Sequence, residues 1–152
     1  MSGVLIDTNL LVYIYDLSEP EKRQRAVEVL QRVRDARIGV LSAQVLSEFY
    51  NVVTRRLEPP LPPDEADGQL RALGRVWPAI PVTAGVVLEA VRGVRDYQLS
   101  FWDAQIWAAA RLNQVGTVLS EEFDPRAVIE GVRFVDPFAD DFELRTIAPL
   151  KH

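Results

Sequence analysis

A chain of 152 residues with no cysteine, a single histidine at its last position and a net charge of −5 excludes several chemistries before any motif is read. Without thiols there is no zinc-thiolate centre, disulfide framework or redox motif, and His152 alone offers little for histidine catalysis or ligation. Hydrophobic residues make up 48% of the chain, yet no apolar run approaches the ~18 residues of a membrane helix and no secretory signal is visible, so one soluble, cytoplasmic domain is expected.

In chain order, Val4, Leu5 and Ile6 read as a strand buried on both faces, ending at Asp7. Leu10 to Leu17 continue as a short helix. Residues 19–36 form a second helix, with Ser18 as its cap, Pro20 in its first turn and a buried stripe of Val27, Leu30 and Val33 to Arg34. A strand over 38–42 leads into an amphipathic helix, AQVLSEFYNVVTRRL, that stops at the proline-rich EPPLPP of 58–63. That stretch resembles a polyproline ligand but reads better as a stiff connection between helices. A fourth helix follows from Asp64, then a strand over 79–83. Two further helices come next, the second capped by Ser100 with Asp103 three residues on. Strands over 116–120 and 132–137 complete the pattern. The alternation predicts an α/β fold, with a mostly parallel central sheet of about four to five short strands flanked by helices. Residues 1–138 are expected to form the domain and 139–152 an irregular C-terminal tail.

The informative residues are acids on faces that should be apolar. Glu48 shares the stripe of Val45, Phe49 and Val52, and Asp103 that of Leu99, Ile106, Trp107 and Ala110. Asp7 lies at the carboxyl end of a strand, the edge where ligands bind in open α/β sheets, and Glu121, Glu122 and Asp124 follow another strand. Each acid also has a structural explanation: Asp7 and Asp103 as caps, Glu48 snorkelling from the stripe's margin, the loop acids simply solvated. No lysine or arginine occupies an equivalent inward position. Buried carboxylates without such partners bind cations or neutralise, and an all-oxygen cluster suits Mg²⁺ or Mn²⁺.

The ordered set LIDTN (5–9), LSEFYNVVTR (46–55), SFWDAQIWAAA (100–110), VLSEEF (118–123) and VRFVDPF (132–138) resembles the PIN domain, and within it the VapC-type ribonuclease toxins of toxin-antitoxin pairs. The resemblance implies a metal-dependent endoribonuclease with Asp7, Glu48 and Asp103 as its acidic core, supported by Thr8, Asn9 and Ser120. The fourth acidic position, usually aspartate in the family, is Glu122 here, with Asp124 as a possible substitute. The resemblance further implies an RNA substrate, products with 5′-phosphate and 3′-hydroxyl ends, a small antitoxin partner and a homodimer. The ions would lower the pKa of a bound water and offset phosphate charge, and Asp103 or Glu122 would take the proton.

An acidic pocket repels RNA unless cations line its rim. Fifteen of the 17 basic residues are arginine; Arg55, Arg56, Arg92, Arg95 and Arg126 are candidates for the rim, against a reading as plain solvated surface. Tyr13, Tyr50, Trp102 and Trp107 could stack a base, although core packing accounts for each as well. Two rivals stand beside this reading. An aspartyl-phosphate phosphatase would need a second aspartate where the chain has Asn9, and an inactive PIN-like interaction module is opposed by the intact acids; a standalone nuclease without an antitoxin stays open.

Overall fold

Val4–Ile6 form β1, and all three side chains are buried, as a strand covered on both faces requires. The computed structural model describes residues 3–121, 123 and 127–147, so that Glu122, Asp124, Arg126 and His152 lie outside the described residues. Within it β1 is paired in parallel on both sides, with β2 (Gly39–Ser42) and with β4 (Thr117–Leu119). β3 (Ala79–Ile80) extends the sheet beyond β2, and β6 (Val132–Val135) extends it beyond β4, both in parallel. β5 (Val128–Ile129) runs antiparallel to β6 and completes the order β3-β2-β1-β4-β6-β5.

This is the expected mostly parallel sheet with one strand more than the sequence pattern suggests. The addition, β5, is two residues long, too short to carry a readable period. It is joined to β6 by Glu130 and Gly131, both at positive φ (48° and 84°), the conformation that two-residue hairpins require. The strand after the fourth helix is likewise only Ala79–Ile80 rather than 79–83.

Among the described residues six α-helices flank the sheet: α1 (Thr8–Tyr13), α2 (Pro20–Asp35), α3 (Ala43–Arg55), α4 (Pro63–Val76), α5 (Ala84–Tyr97) and α6 (Phe101–Leu112). α1 begins earlier and ends earlier than its apolar run implies. Asp7 caps it, and beyond Tyr13 the chain closes into turns, with Tyr15 N–H donating to Val12 and Asp16 N–H to Tyr13. Ser18 is not the cap of α2. Its hydroxyl and its N–H both donate to the Asp16 carboxylate, which leaves Glu19 at the N-cap and Pro20 in the first turn. The buried stripe of α2 is Ala26, Val29, Leu30 and Val33, with Val27 half-buried and Arg34 exposed. In α3, Val53 rather than Val52 joins Val45 and Phe49 inside. Ser100 caps α6 as expected, accepting from Asp103 N–H at 3.2 Å, and Ser42, read only as the end of a strand, caps α3 by accepting from Val45 N–H at 3.2 Å.

Close approach fixes two contacts in the core. The Trp77 ring lies where a Cβ of Gly39 would be, 2.3 Å from the ring, and the ring of fully buried Trp107 would stand 2.8 Å from a Cβ on Gly93. Gly93 thereby lets α5 and α6 pack closely. EPPLPP connects α3 to α4; Leu61 N–H donates to the Val53 carbonyl, and its side chain packs on the core. After β6, a 3-10 turn over Leu144–Thr146 brings Ile147 into the core.

Because β1, β2 and β4 are parallel, their carboxyl ends share one edge, where Asp7, Ser42 and Ser120 emerge. The chain passes from β1 to β2 on one side and later to β4 on the other. The β1/β4 boundary is thus the topological switch point of the sheet, where open α/β sheets present their crevice.

Candidate active site

Asp7 serves the fold and the crevice at once. It is 5% exposed; one carboxylate oxygen accepts from Thr8 N–H at 2.7 Å as the α1 cap, while the other accepts from the Ser120 hydroxyl at 2.7 Å. The β1/β4 register sets this pairing, since Ile6 lies opposite Leu119 and the next residue on each strand faces the edge. Asn9, the second residue of α1, donates its amide to Ser120 Oγ at 3.3 Å. Its own Oδ1 is buried and meets no hydrogen-bond donor among the described residues.

Glu48 reaches the same place from α3. Its two oxygens accept from the Thr8 hydroxyl at 2.9 Å and from the Gln44 amide at 2.8 Å. Gln44 also donates to the Trp102 carbonyl at 3.1 Å and accepts from the Gln105 amide at 2.8 Å. Both glutamines are buried, so α1, α3 and α6 are joined by one polar chain that leads from Thr8 to the start of α6. Asp103 is half-buried on α6, and its carboxyl is held above the usual aspartate range by burial; the Ser100 hydroxyl opposes this, and the Glu48 charge adds to it. Neither Glu48 nor Asp103 forms an ion pair with a described lysine or arginine.

These residues surround an open cleft of about 950 Å³ whose wall includes Asp7, Thr8, Asn9, Glu48, Trp102 and Gln105 but not Asp103 itself. Asp7, Glu48 and Asp103 are carboxylates, and Asn9 adds an unpartnered amide oxygen on the cleft wall, so in kind the donors fit a hard divalent cation. Among the described residues, however, no three acids stand close enough to form one ligand group. Glu122 and Asp124, the remaining candidates, lie outside the described residues.

Glu121, in the same loop, is already engaged: Lys22 holds one of its oxygens, and the Tyr13 hydroxyl donates to the other. That engagement, with burial as the larger cause, pushes the Tyr13 phenol up from its ordinary range. Of the other candidates, Trp107 is fully buried, Tyr50 and Arg55 are exposed away from the cleft wall, and Arg92 is bound to Glu89 and Glu130. Arg95 is exposed and off the wall as well. Trp102 and Arg56 do line the cleft.

The residues that the sequence reading missed are Gln44, Gln105 and Lys22. A signal existed for the two glutamines: Gln44 precedes Glu48 by one helical turn, and Gln105 interrupts the apolar run of α6.

The raised Asp103 pKa has a measurable consequence. A carboxyl that binds its proton more tightly in the folded than in the unfolded state opposes folding progressively as pH rises through the unfolded and then the folded pKa. In EDTA, therefore, the protein should lose stability from the ordinary aspartate range upward into the raised range, and Asp103→Asn should remove that part of the loss. Thermal melts across pH in EDTA check it. Identical pH profiles for parent and variant would sink the assignment.

Comparison with known proteins adds the family. A PIN domain family model matches residues 4–128. A toxin-antitoxin complex from Klebsiella pneumoniae superposes with a TM-score of 0.65 at 18% identity, covering 90% of this chain and 98% of that one. VapC20 of Mycobacterium tuberculosis, a sarcin-ricin loop cleaving toxin, gives 0.60 at 19% identity over 80% of this chain and 90% of its own. A DNA-bound VapBC from Salmonella typhimurium gives 0.63 at 14% identity over 90% and 99%. At these identities the likeness is one of fold. No curated protein matches the chain.

Proposed function

The chain belongs to the PIN domain family, and on that footing we propose that it is a divalent-metal-dependent endoribonuclease acting as the toxin of a toxin-antitoxin pair. The observation that carries the reading is the pairing of buried Asp7 with Ser120 at the β1/β4 switch point, beside Glu48. Family membership and the fold shared with toxin-antitoxin proteins support it. The nuclease domain is proposed to span residues 1–138 and the tail 139–152, the described part of the tail packing back on the core through Phe142, Leu144 and Ile147.

In this proposal Asp7, Glu48, Asp103 and Glu122 hold Mg²⁺ or Mn²⁺, with Asp124 in reserve. When bound, the ion lowers the pKa of a water molecule and offsets charge on the phosphate under attack. Ser120, itself held by Asn9, orients Asp7, and Thr8 and Gln44 hold both oxygens of Glu48, so these two carboxylates are positioned at the cleft, and Asp103 would have to close on them to complete the ligand group. Asp103 or Glu122 orients the attacking water or accepts its proton. A small antitoxin protein and a second copy of the chain are the proposed partners, and the cytoplasm the proposed compartment. No described helix is long and apolar enough to cross a membrane.

The test is to incubate the purified protein with tRNA and rRNA fragments in Mg²⁺, Mn²⁺ or EDTA. Cleavage leaving 5′-phosphate ends is expected with either metal and none in EDTA. Cleavage that persists in EDTA, or no cleavage of any RNA in either metal, would overturn the proposal.

A further inference from the structure

Two side chains on the cleft wall have no part in the acidic centre. Trp102, the second residue of α6, leaves 62% of its surface exposed, whereas Trp77 and Trp107 are buried at 7% and 0%. Its backbone is fastened, because its carbonyl accepts from Gln44, while its ring touches one described aromatic, Phe101, edge to face at 5.1 Å. An anchored backbone with an indole in solvent is a preorganised apolar surface beside the acids. Arg56, at the end of α3, is the one cation among the described residues of the wall and pairs with none of the described carboxylates. Asp7, Asp16 and Glu48 on the same wall make the rest of the cleft repulsive to phosphate. Asn51, on α3 between Glu48 and Arg56, also lines the cleft.

We propose that this wall of the cleft holds one RNA strand, with the Trp102 indole stacking one unpaired base near the start of α3 and Arg56, twelve residues beyond Gln44 at its far end, binding a backbone phosphate further along the strand. The inference rests on the ribonuclease reading and adds the residues of this chain that would hold the strand: Trp102 needs a splayed-out base, and a continuous duplex supplies none. The reason is geometric. Bases inside an A-form helix are stacked on one another and offer no face to an indole, whereas an unpaired base does. Arg56 supplies the attraction that the acids withhold, and its planar fork suits a phosphate.

Trp102 is also its own reporter, since the other two tryptophans are buried. A stem-loop RNA and a fully paired duplex of equal length would be titrated in Ca²⁺ while tryptophan emission is followed, and cleavage of both measured separately in Mn²⁺. The loop RNA should quench the parent and the duplex should not. Trp102→Ala should weaken loop-RNA binding by about tenfold or more and raise KM rather than lower kcat, with Trp102→Phe recovering part of the loss. Its melting temperature should match the parent's. Arg56→Ala should weaken binding and lower the salt dependence by about one ion. If the parent cleaves RNA while Trp102→Ala binds and cleaves the loop substrate as the parent does, the subsite is overturned, the nuclease reading stands, and the indole is left for a protein partner. Equal binding of duplex and loop would overturn it in the same way. A parent that neither binds nor cleaves any RNA defeats both proposals.

Discussion

Asp7→Asn is expected to abolish ribonuclease activity, by at least about a hundredfold, while leaving a folded protein. Asparagine caps helices about as well as aspartate, and its amide oxygen can keep the 2.7 Å bond from Thr8 N–H. The other side of the group changes more. Its NH₂ must now donate towards Ser120 Oγ, which already accepts from the Asn9 amide, so the serine hydroxyl has to turn away. A lost or bent hydrogen bond to a charged group costs about 1.5–3 kcal/mol, less than the roughly 5–15 kcal/mol of a domain's whole stability. What cannot be replaced is the anionic oxygen, so the stabilisation that the parent gains from Mn²⁺ in a thermal melt should largely disappear. Paired melts in EDTA and Mn²⁺, with cleavage assays on the same preparations, check both parts. A variant strongly destabilised in EDTA with an undiminished Mn²⁺ shift would mean that Asp7 serves the fold alone.

The second large effect is on stability. Trp107→Ala should cost about 3–5 kcal/mol, the range for truncating a fully buried large aromatic, which is a major share of the roughly 5–15 kcal/mol that holds a domain together. Trp107 is 0% exposed and joins three elements. Its indole N–H donates to the Ile129 carbonyl on β5 at 3.1 Å, Tyr97 of α5 meets its ring edge-on at 5.8 Å, and the Arg92 guanidinium lies 5.4 Å from the ring centre. Gly93 is what allows the ring to lie so close to α5, and no repacking from that side can fill the space left behind. Since Asp103 lies one turn earlier on α6, activity should fall in step with the folded fraction. Urea denaturation checks it, with Trp102→Ala on the same helix as the contrast, expected near the parent. A Trp107→Ala loss below about 1 kcal/mol would contradict the packing account.

How much of this was visible in the sequence depends on the range over which each signal acts. The buried run Val4–Ile6, the capping Ser100 and the parallel character of the sheet were legible, because period, cap chemistry and turn residues are local properties. So was the placement of Asp7 at the sheet's edge. The capping of α2 was misread although every residue involved lies within a few positions, since Ser18 had two acceptable partners and Asp16 took it. β5 escaped because two residues carry no period.

What tertiary structure alone decided was which acids, amides, arginines and aromatics meet. Thr8 and Glu48 are 40 residues apart and Asp7 and Ser120 are 113 apart, and their bonds depend on strand register and on the rotation of each helix about its axis. A shift of one residue on α3 turns a side chain by about 100°, which is why Val53 rather than Val52 faces the core and why no spacing rule could say that Gln44 would bridge Glu48 to α6. The same rotation sorted the candidates of mixed chemistry. It put Trp107 inside and Trp102 on the cleft, engaged Arg92 with carboxylates, and left Arg56 on the wall without one among the described residues. The sequence by itself thus determined the fold class and the acidic character of one sheet edge, because both follow from local patterning. The identity of each side chain's partner was decided only by how the packed elements are turned towards one another.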